Sequence, residues 1–306
     1  MKIFDLHCDT VFECLTQNKN IASNDLALDI ERLSGYDGAI QTFAFWIGDT
    51  YRGDNAYNHF LEQYELFIQQ AGNRVDGSAK TLELWDHQEL PQNGVCRGLL
   101  AIESGAALGG SLDRIWEMKK RNISIITLTW NSANEIACGV NGAGGITDFG
   151  KDAIYEMENC GITVDASHLN EISFFELCSI ARKPFIASHS NAYAVYKNRR
   201  NLKDAQITEL AAMGGLIGLN FYINFIGGDA GLEDMLKHVE HFLNLGCEDI
   251  LAIGSDFDGA KTSSYFKDVT CYSRFYDDMT QEFGRDITDK IFFGNAYSFF
   301  KGRLQL

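Results

Sequence analysis

Proline is nearly absent: Pro91 and Pro184 are the only two in 306 residues. Without Pro-rich stretches the chain has no stiff extended spacer, and no low-complexity segment or block of like charge takes that place. The sequence is therefore read as one domain over residues 1–306. The eight cysteines contain no C-x-x-C pair. That excludes the thiol metal sites and redox motifs built on that spacing, and leaves them as small buried apolar groups. No apolar run reaches the length of a membrane-spanning helix. The opening MKIFDLHCDT lacks the basic and apolar parts of a leader, and the closing KGRLQL lacks the apolar tail of a lipid-anchor signal. The expectation is a cytoplasmic protein with no membrane partner. Cations are scarce as well: 26 Lys and Arg stand against 42 Asp and Glu, a formal net charge of −16. Nucleic-acid affinity rests on Lys and Arg neutralising phosphates, so no nucleic-acid partner is expected. A G-x-S-x-G nucleophile elbow is also missing.

What is present is an alternation of short apolar or β-branched runs with longer segments of helical period. Eight segments read as strands: Ile3–Thr10, Ala39–Gly48, Val95–Ser104, Ile123–Asn131, Thr163–His168, Phe185–Ser190, Gly215–Phe221 and Ile250–Asp256. The clearest helix is Leu232–Leu245, where Leu232, Met235, Leu236, Val239, Phe242 and Leu243 form one stripe. Asp113–Arg121, Glu171–Arg182 and Ala205–Met213 have similar patterns. Strand followed by helix, eight times over, predicts an α/β fold of the closed (β/α)₈ TIM-barrel type. An open doubly wound sheet is the alternative. It usually carries a glycine-rich phosphate loop after its first strand, and Leu6-His7-Cys8-Asp9-Thr10 is not one.

The polar residues gather at the ends of these strands. His7 and Asp9 end the first, Glu103 the third, His168 the fifth, His189 the sixth and Asp256 the eighth. In a barrel the carboxyl ends of the strands form one mouth, so residues distant in sequence converge. Side chains alternate along a strand, which puts His7 and Asp9 on one side and turns Cys8 away. Three imidazoles and two carboxylates suit zinc or a similar divalent ion. Five donors exceed the three protein ligands of a single catalytic zinc, so two ions are expected, with Glu103 shared between them. A lone buried His is more often a hydrogen-bonded core residue, and Asp258 before Gly259 reads as a turn residue. Convergence of the whole set on strand ends favours metal. The other histidines read otherwise: His238 and His241 on the polar face of their helix, His59 and His87 at the surface. The glycine-rich run Asn141–Thr147 lacks phosphate-loop spacing and is read as a mobile loop over the pocket.

The same residues carry a resemblance. The runs Asp5-Leu6-His7-Cys8-Asp9-Thr10, Ile102-Glu103-Ser104-Gly105 and Leu128-Thr129-Trp130-Asn131 occur in this order. They are followed by Val164-Asp165-Ala166-Ser167-His168, Ser188-His189-Ser190, Arg200-Asn201-Leu202 and Gly254-Ser255-Asp256-Phe257-Asp258-Gly259. Together they resemble the membrane (renal) dipeptidases, zinc peptidases on an amidohydrolase-like barrel, and their soluble bacterial relatives. The resemblance implies one zinc on His7 and Asp9, a second on His168 and His189, and Glu103 as the bridge. It implies that Arg200 binds the carboxylate of a small dipeptide substrate, that Asp256 handles the proton and helps seat the free amino group, and that a homodimer is possible. One position departs: the family usually has His directly after the Leu-Thr of strand four, and Trp130 stands there. A narrower, more apolar substrate site is the expected result.

The chemistry so implied is hydrolysis by a zinc-bound hydroxide shared between ions about 3.5–4 Å apart, with Asp256 as proton carrier. A lactone, a cyclic amide or an N-acyl amino acid could use the same centre. A catalytically silent metal-binding protein would be expected to lack a ligand or Asp256, and neither is missing.

Overall fold

The computed structural model describes residues 1–71 and 81–301. Their strands are β1 (Lys2–Asp5), β2 (Gly38–Trp46), β3 (Thr81–Leu84), β4 (Val95–Glu103), β5 (Ile123–Thr127), β6 (Thr163–Asp165), β7 (Ile186–Ala187), β8 (Leu216–Leu219) and β9 (Leu251–Ile253). Every pairing is parallel. Passing round the sheet, β1, β2, β4, β5, β6, β7, β8 and β9 follow one another, and β9 pairs back onto β1. The result is a closed (β/α)₈ barrel. Parallel strands covered on both faces read as continuous apolar runs, which is why these eight were visible in the sequence. Each is shorter than expected, because the last residues of each run leave the ladder and form the mouth.

β3 was not anticipated. It lies outside the ring along the first four residues of β4, pairing Leu82 with Cys96 and Leu84 with Gly98. From Leu100 onward that edge of β4 belongs to β5. Four residues are too few for a periodic signal.

Alternate residues of the strands part into two apolar clusters. Phe4, Leu6, Ile40, Ala44, Leu99 and Ala101 pack inside the barrel, closed at one end by Trp85, Phe299 and Phe300. Ile3, Ala39, Phe43, Phe45, Leu100 and Ile102 face outward into a larger cluster with the helices. The parity continues upward, so Glu103 shares the inner face of Leu99 and Ala101.

The four clearest helices form as Asp113–Lys120, Glu171–Ile180, Asp204–Ala212 and Leu232–Asn244. Three histidine readings are corrected. His238 is fully buried, its Nδ1 accepting from the Ala192 N–H at 3.1 Å and its Nε2 donating to the Ile226 carbonyl at 3.0 Å. His87 is buried between Trp85, the Ser124 hydroxyl and the Phe300 carbonyl. His59 is buried in a parallel stack on Tyr51, with ring centroids 4.2 Å apart. His241 is part-exposed and meets Asp204 at 2.8 Å. Among the described residues no helix is long and apolar enough to cross a membrane.

Candidate metal centre

Each candidate ligand stands at the end of a strand or just beyond it. β1 stops at Asp5, and the chain runs on through Leu6 and His7 to Cys8, which bridges to Phe257. Cys8 points into the outer core, as its place between His7 and Asp9 predicted. Asp9 then starts the helix Thr10–Gln17. Glu103 is the last residue of β4, His189 lies two residues past β7, and His168 and Asp256 lie three past β6 and β9. Ser104, His168, Asp256 and Asp258 all have left-handed backbones, with φ of 91°, 71°, 61° and 68°. Non-glycine residues hold such angles only where their surroundings over-determine them, and such strain collects at functional sites.

The five candidates and Asp256 meet in one buried place. His7 Nε2 is 3.4 Å from Asp9 Oδ2, 3.7 Å from Glu103 Oε2 and 4.0 Å from Asp256 Oδ1. Glu103 Oε1 lies 2.7 Å from His168 Nε2 and 3.6 Å from His189 Nε2. Glu103 thus turns one oxygen to each group of donors. Two triads, His7 with Glu103 and His189, and His7 with Asp9 and Asp256, have donor atoms within 4.8 Å of one another.

The protons decide what this cluster fits. His168 Nδ1 lies 3.0 Å from Asn131 Oδ1, an acceptor, so Nδ1 carries the hydrogen. His189 Nδ1 lies 2.8 Å from Ser188 Oγ, whose own hydrogen goes to Asp165 Oδ2 at 2.6 Å; Nδ1 is again the donor. Both Nε2 atoms therefore present lone pairs, and they face each other at 3.0 Å with no proton to share. His7 Nε2 and Asp9 Oδ1 are buried with no hydrogen-bond partner. Buried donors of this kind are costly unless something positive lies among them. The residues fit divalent cations.

The charges agree. Burial opposes a charge on His7, yet Asp9 and Glu103 outweigh it and raise its pKa well above the ordinary value. Burial, followed by the positive charge of Arg200 and His7, pushes His168 and His189 well below theirs, which keeps them neutral as ligands must be. Burial and then Glu103 lift Asp9 to about 6. Asp256 is lifted to about 7, chiefly by burial, with Asp9 and Glu103 adding to the rise and His7 opposing it.

A cavity of about 400 Å³ opens over this cluster. One wall is aromatic: Trp130 meets Trp46 edge to face at 5.1 Å, and Phe12 packs on Trp46 at 4.7 Å. Another wall holds Arg200, over the Phe225 ring at 5.3 Å. Arg200 is buried, its Nε has no hydrogen-bond partner, and one weak bond at 3.5 Å joins Nη2 to the His189 carbonyl. Gly259 floors the pocket; a Cβ there would lie 1.9 Å from Asp9 Oδ2 and 2.6 Å from Asp256 Oδ1. Asp258 is more than a turn residue, because it ties Thr10 Oγ1 and the Ala27 N–H to this floor. The glycine run Asn141–Thr147 does not line the cavity. It is pinned to the helix after β6 by Asn170 and Glu176. The supporting groups Asn131, Ser188 and Asp165 were visible in the motifs, but no spacing rule marks a residue whose partner is another side chain.

The model of the family described as membrane dipeptidase (peptidase family M19) matches residues 1–301. This chain belongs to that family. It is thus a metallopeptidase and a hydrolase. Over 181 residues, 54% of this chain and 67% of the other, it is 32% identical to a Klebsiella pneumoniae protein described as an uncharacterized protein in the pqqA 5′ region. Over 177 residues it is 31% identical to the uncharacterized dipeptidase C965.12 of Schizosaccharomyces pombe; the match spans 55% of this chain but only 42% of the yeast protein. The fold is shared with a Rhodobacter sphaeroides metallo peptidase, crystallised with a phosphinate mimic of the dipeptide L-Ala-D-Ala. That structure has a TM-score of 0.87 at 22% identity, with 98% of each chain covered.

Proposed function

We propose that this family member hydrolyses dipeptides with two zinc ions, one held by His7 and Asp9, the other by His168 and His189, with Glu103 shared. The observation that carries the reading is the facing pair of proton-free Nε2 atoms of His168 and His189, close to a buried guanidinium whose Nε has no hydrogen-bond partner. Divalent ions held by these five residues would supply Lewis acidity and a water-derived nucleophile near neutral pH. The remaining work belongs to side chains. Arg200 receives the substrate's terminal carboxylate through charge-assisted bonds, while Phe225 backs its guanidinium. Asp256 is held at Oδ2 by Asn220 Nδ2, 3.0 Å away, and its Oδ1 faces the cluster. It takes the proton and returns it to the departing amine. Trp130, Trp46 and Phe12 close the pocket to water on the apolar side and set which side chains enter.

The test is metal-stripped protein reloaded with zinc and assayed on dipeptides, their C-terminal amides and lactones. Two ions per chain and turnover confined to free dipeptides are expected. One ion or none, or lactones cleaved in preference to dipeptides, would overturn the reading.

A further inference from the structure

Two buried aspartates, neither of which lines the cavity, repeat one arrangement on opposite sides of the barrel. Asp5 accepts from the His7 N–H at 3.2 Å, from the N–H and hydroxyl of Ser255 at 2.9 and 2.5 Å, and from Tyr272 Oη at 2.6 Å. Asp165 accepts from the Ser167 N–H at 3.0 Å, from the N–H and hydroxyl of Ser188 at 2.9 and 2.6 Å, and from Thr127 Oγ1 at 2.6 Å. Both are fully buried, and each is satisfied by four donors rather than by a cation. Each serine precedes a functional candidate: Ser255 comes before Asp256 and Ser188 before His189.

The two differ at the serine oxygen. Beyond Asp5, Ser255 Oγ meets only backbone, the His7 carbonyl and the Phe257 N–H, each at 3.3 Å. Beyond Asp165, Ser188 Oγ meets the His189 ring at Nδ1, 2.8 Å away, and more distantly Ser167 Oγ at 3.4 Å. A serine has one hydrogen and two lone pairs. Asp165, an acceptor only, claims the hydrogen, so a lone pair alone is left for His189. We infer that Asp165, acting through Ser188, is a positioning residue that fixes His189 as its Nδ1–H tautomer and so aims the Nε2 lone pair into the metal centre. The carboxylate and the ring do not touch; the serine passes on the polarity. The inference rests on the metal reading above, but it concerns the protein before any ion arrives.

Asp165→Asn makes a sharp prediction. The amide oxygen keeps the Oδ1 position, where two backbone N–H groups point. The amide nitrogen then faces Ser188 Oγ and Thr127 Oγ1 and donates. Ser188 is left to give its hydrogen to His189 Nδ1, which drives the proton on that ring to Nε2, where it blocks ligation. The measurement is a two-bond ¹H–¹⁵N correlation spectrum of metal-free, full-length protein labelled with ¹⁵N-histidine, alongside zinc titration against a chromophoric chelator. The parent should show His189 as Nδ1–H. Asp165→Asn should show Nε2–H, and one of the two zinc ions should bind about 10–100-fold more weakly, the usual size for such outer partners. Ser188→Ala, a small change should the first variant fail to fold, should give mixed tautomers, and Ser188→Thr should restore the parent spectrum. A folded Asp165→Asn or Ser188→Ala protein with an unchanged His189 tautomer would overturn the inference. Failure of the dipeptidase reading would appear separately, as a parent protein inactive on the dipeptide panel.

Discussion

Single side chains carry the sharpest expectations. Asp256 combines a fixed Oδ2, a left-handed backbone and a carboxyl lifted by burial towards neutrality, a pKa suited to moving protons at ordinary pH. Asp256→Asn should hold the metal content near that of the parent and lower turnover about 10²–10⁴-fold; parent-like turnover would remove it from the proton path. Arg200→Ala should cost much on a free dipeptide and little on its C-terminal amide, since only the former offers a carboxylate. Equal losses would mean that Arg200 serves the fold. Trp130 stands where the resemblance leads one to expect His, and its indole packs edge to face on Trp46. Trp130→His should raise turnover of simple dipeptides and narrow the preference for substrates with apolar side chains. The scale is bounded by the roughly 10²–10³-fold attributed to one oxyanion donor. An unchanged substrate profile would make Trp130 plain wall. The candidate ligands were legible because strand ends and residue chemistry agree on them. Asn131 and Ser188 were not, because their roles pass through other side chains.

Among the elements, the helix Leu232–Asn244 shows where sequence reading went astray. Its buried positions are Met235, His238, Val239 and Phe242, the i, i+3, i+4, i+7 stripe itself. Position placed His238 inside, and its polar chemistry led it to be read as solvated. Both ring nitrogens find backbone partners, and the neutral ring is the only form that satisfies both. Burial lowers its pKa to about 4, and that of His87 also to about 4. As pH falls below about 6.5 the unfolded chain takes protons that these folded rings refuse. Their contribution is complete above pH 6.5 and is lost between there and pH 4, on the order of 3 kcal/mol for each group. Urea midpoints measured from pH 7 to 4 should fall, and His238→Gln should flatten the fall without abolishing it. Parallel curves would clear His238 of the effect. The strands were easier to read, being apolar on both faces. β3 escaped because it is a short addition to an edge rather than a member of the ring.

For the molecule as a whole, the candidate ligands come from four points around one closed ring, so ions held there tie β1, β4, β6 and β7 together. A ligand that binds only the folded state stabilises it by mass action. Chelation should therefore lower the melting temperature, and zinc at increasing concentration should raise it progressively. A melting temperature indifferent to zinc would argue against ions in the centre. Closure of the ring has another consequence. Asp5 and Ser255 hydrogen-bond across a separation of 250 residues, and Asp256 follows at once. At ~5–20 residues per second of synthesis, His7 and Asp9 leave the ribosome roughly ten to fifty seconds before their partners at β9 exist. During that interval the first half of the centre is an exposed His-Cys-Asp tripeptide, open to any soft metal in its surroundings. Only when the last strand shuts the ring does Phe257 come to pair with Cys8, whose thiol then lies buried in the core.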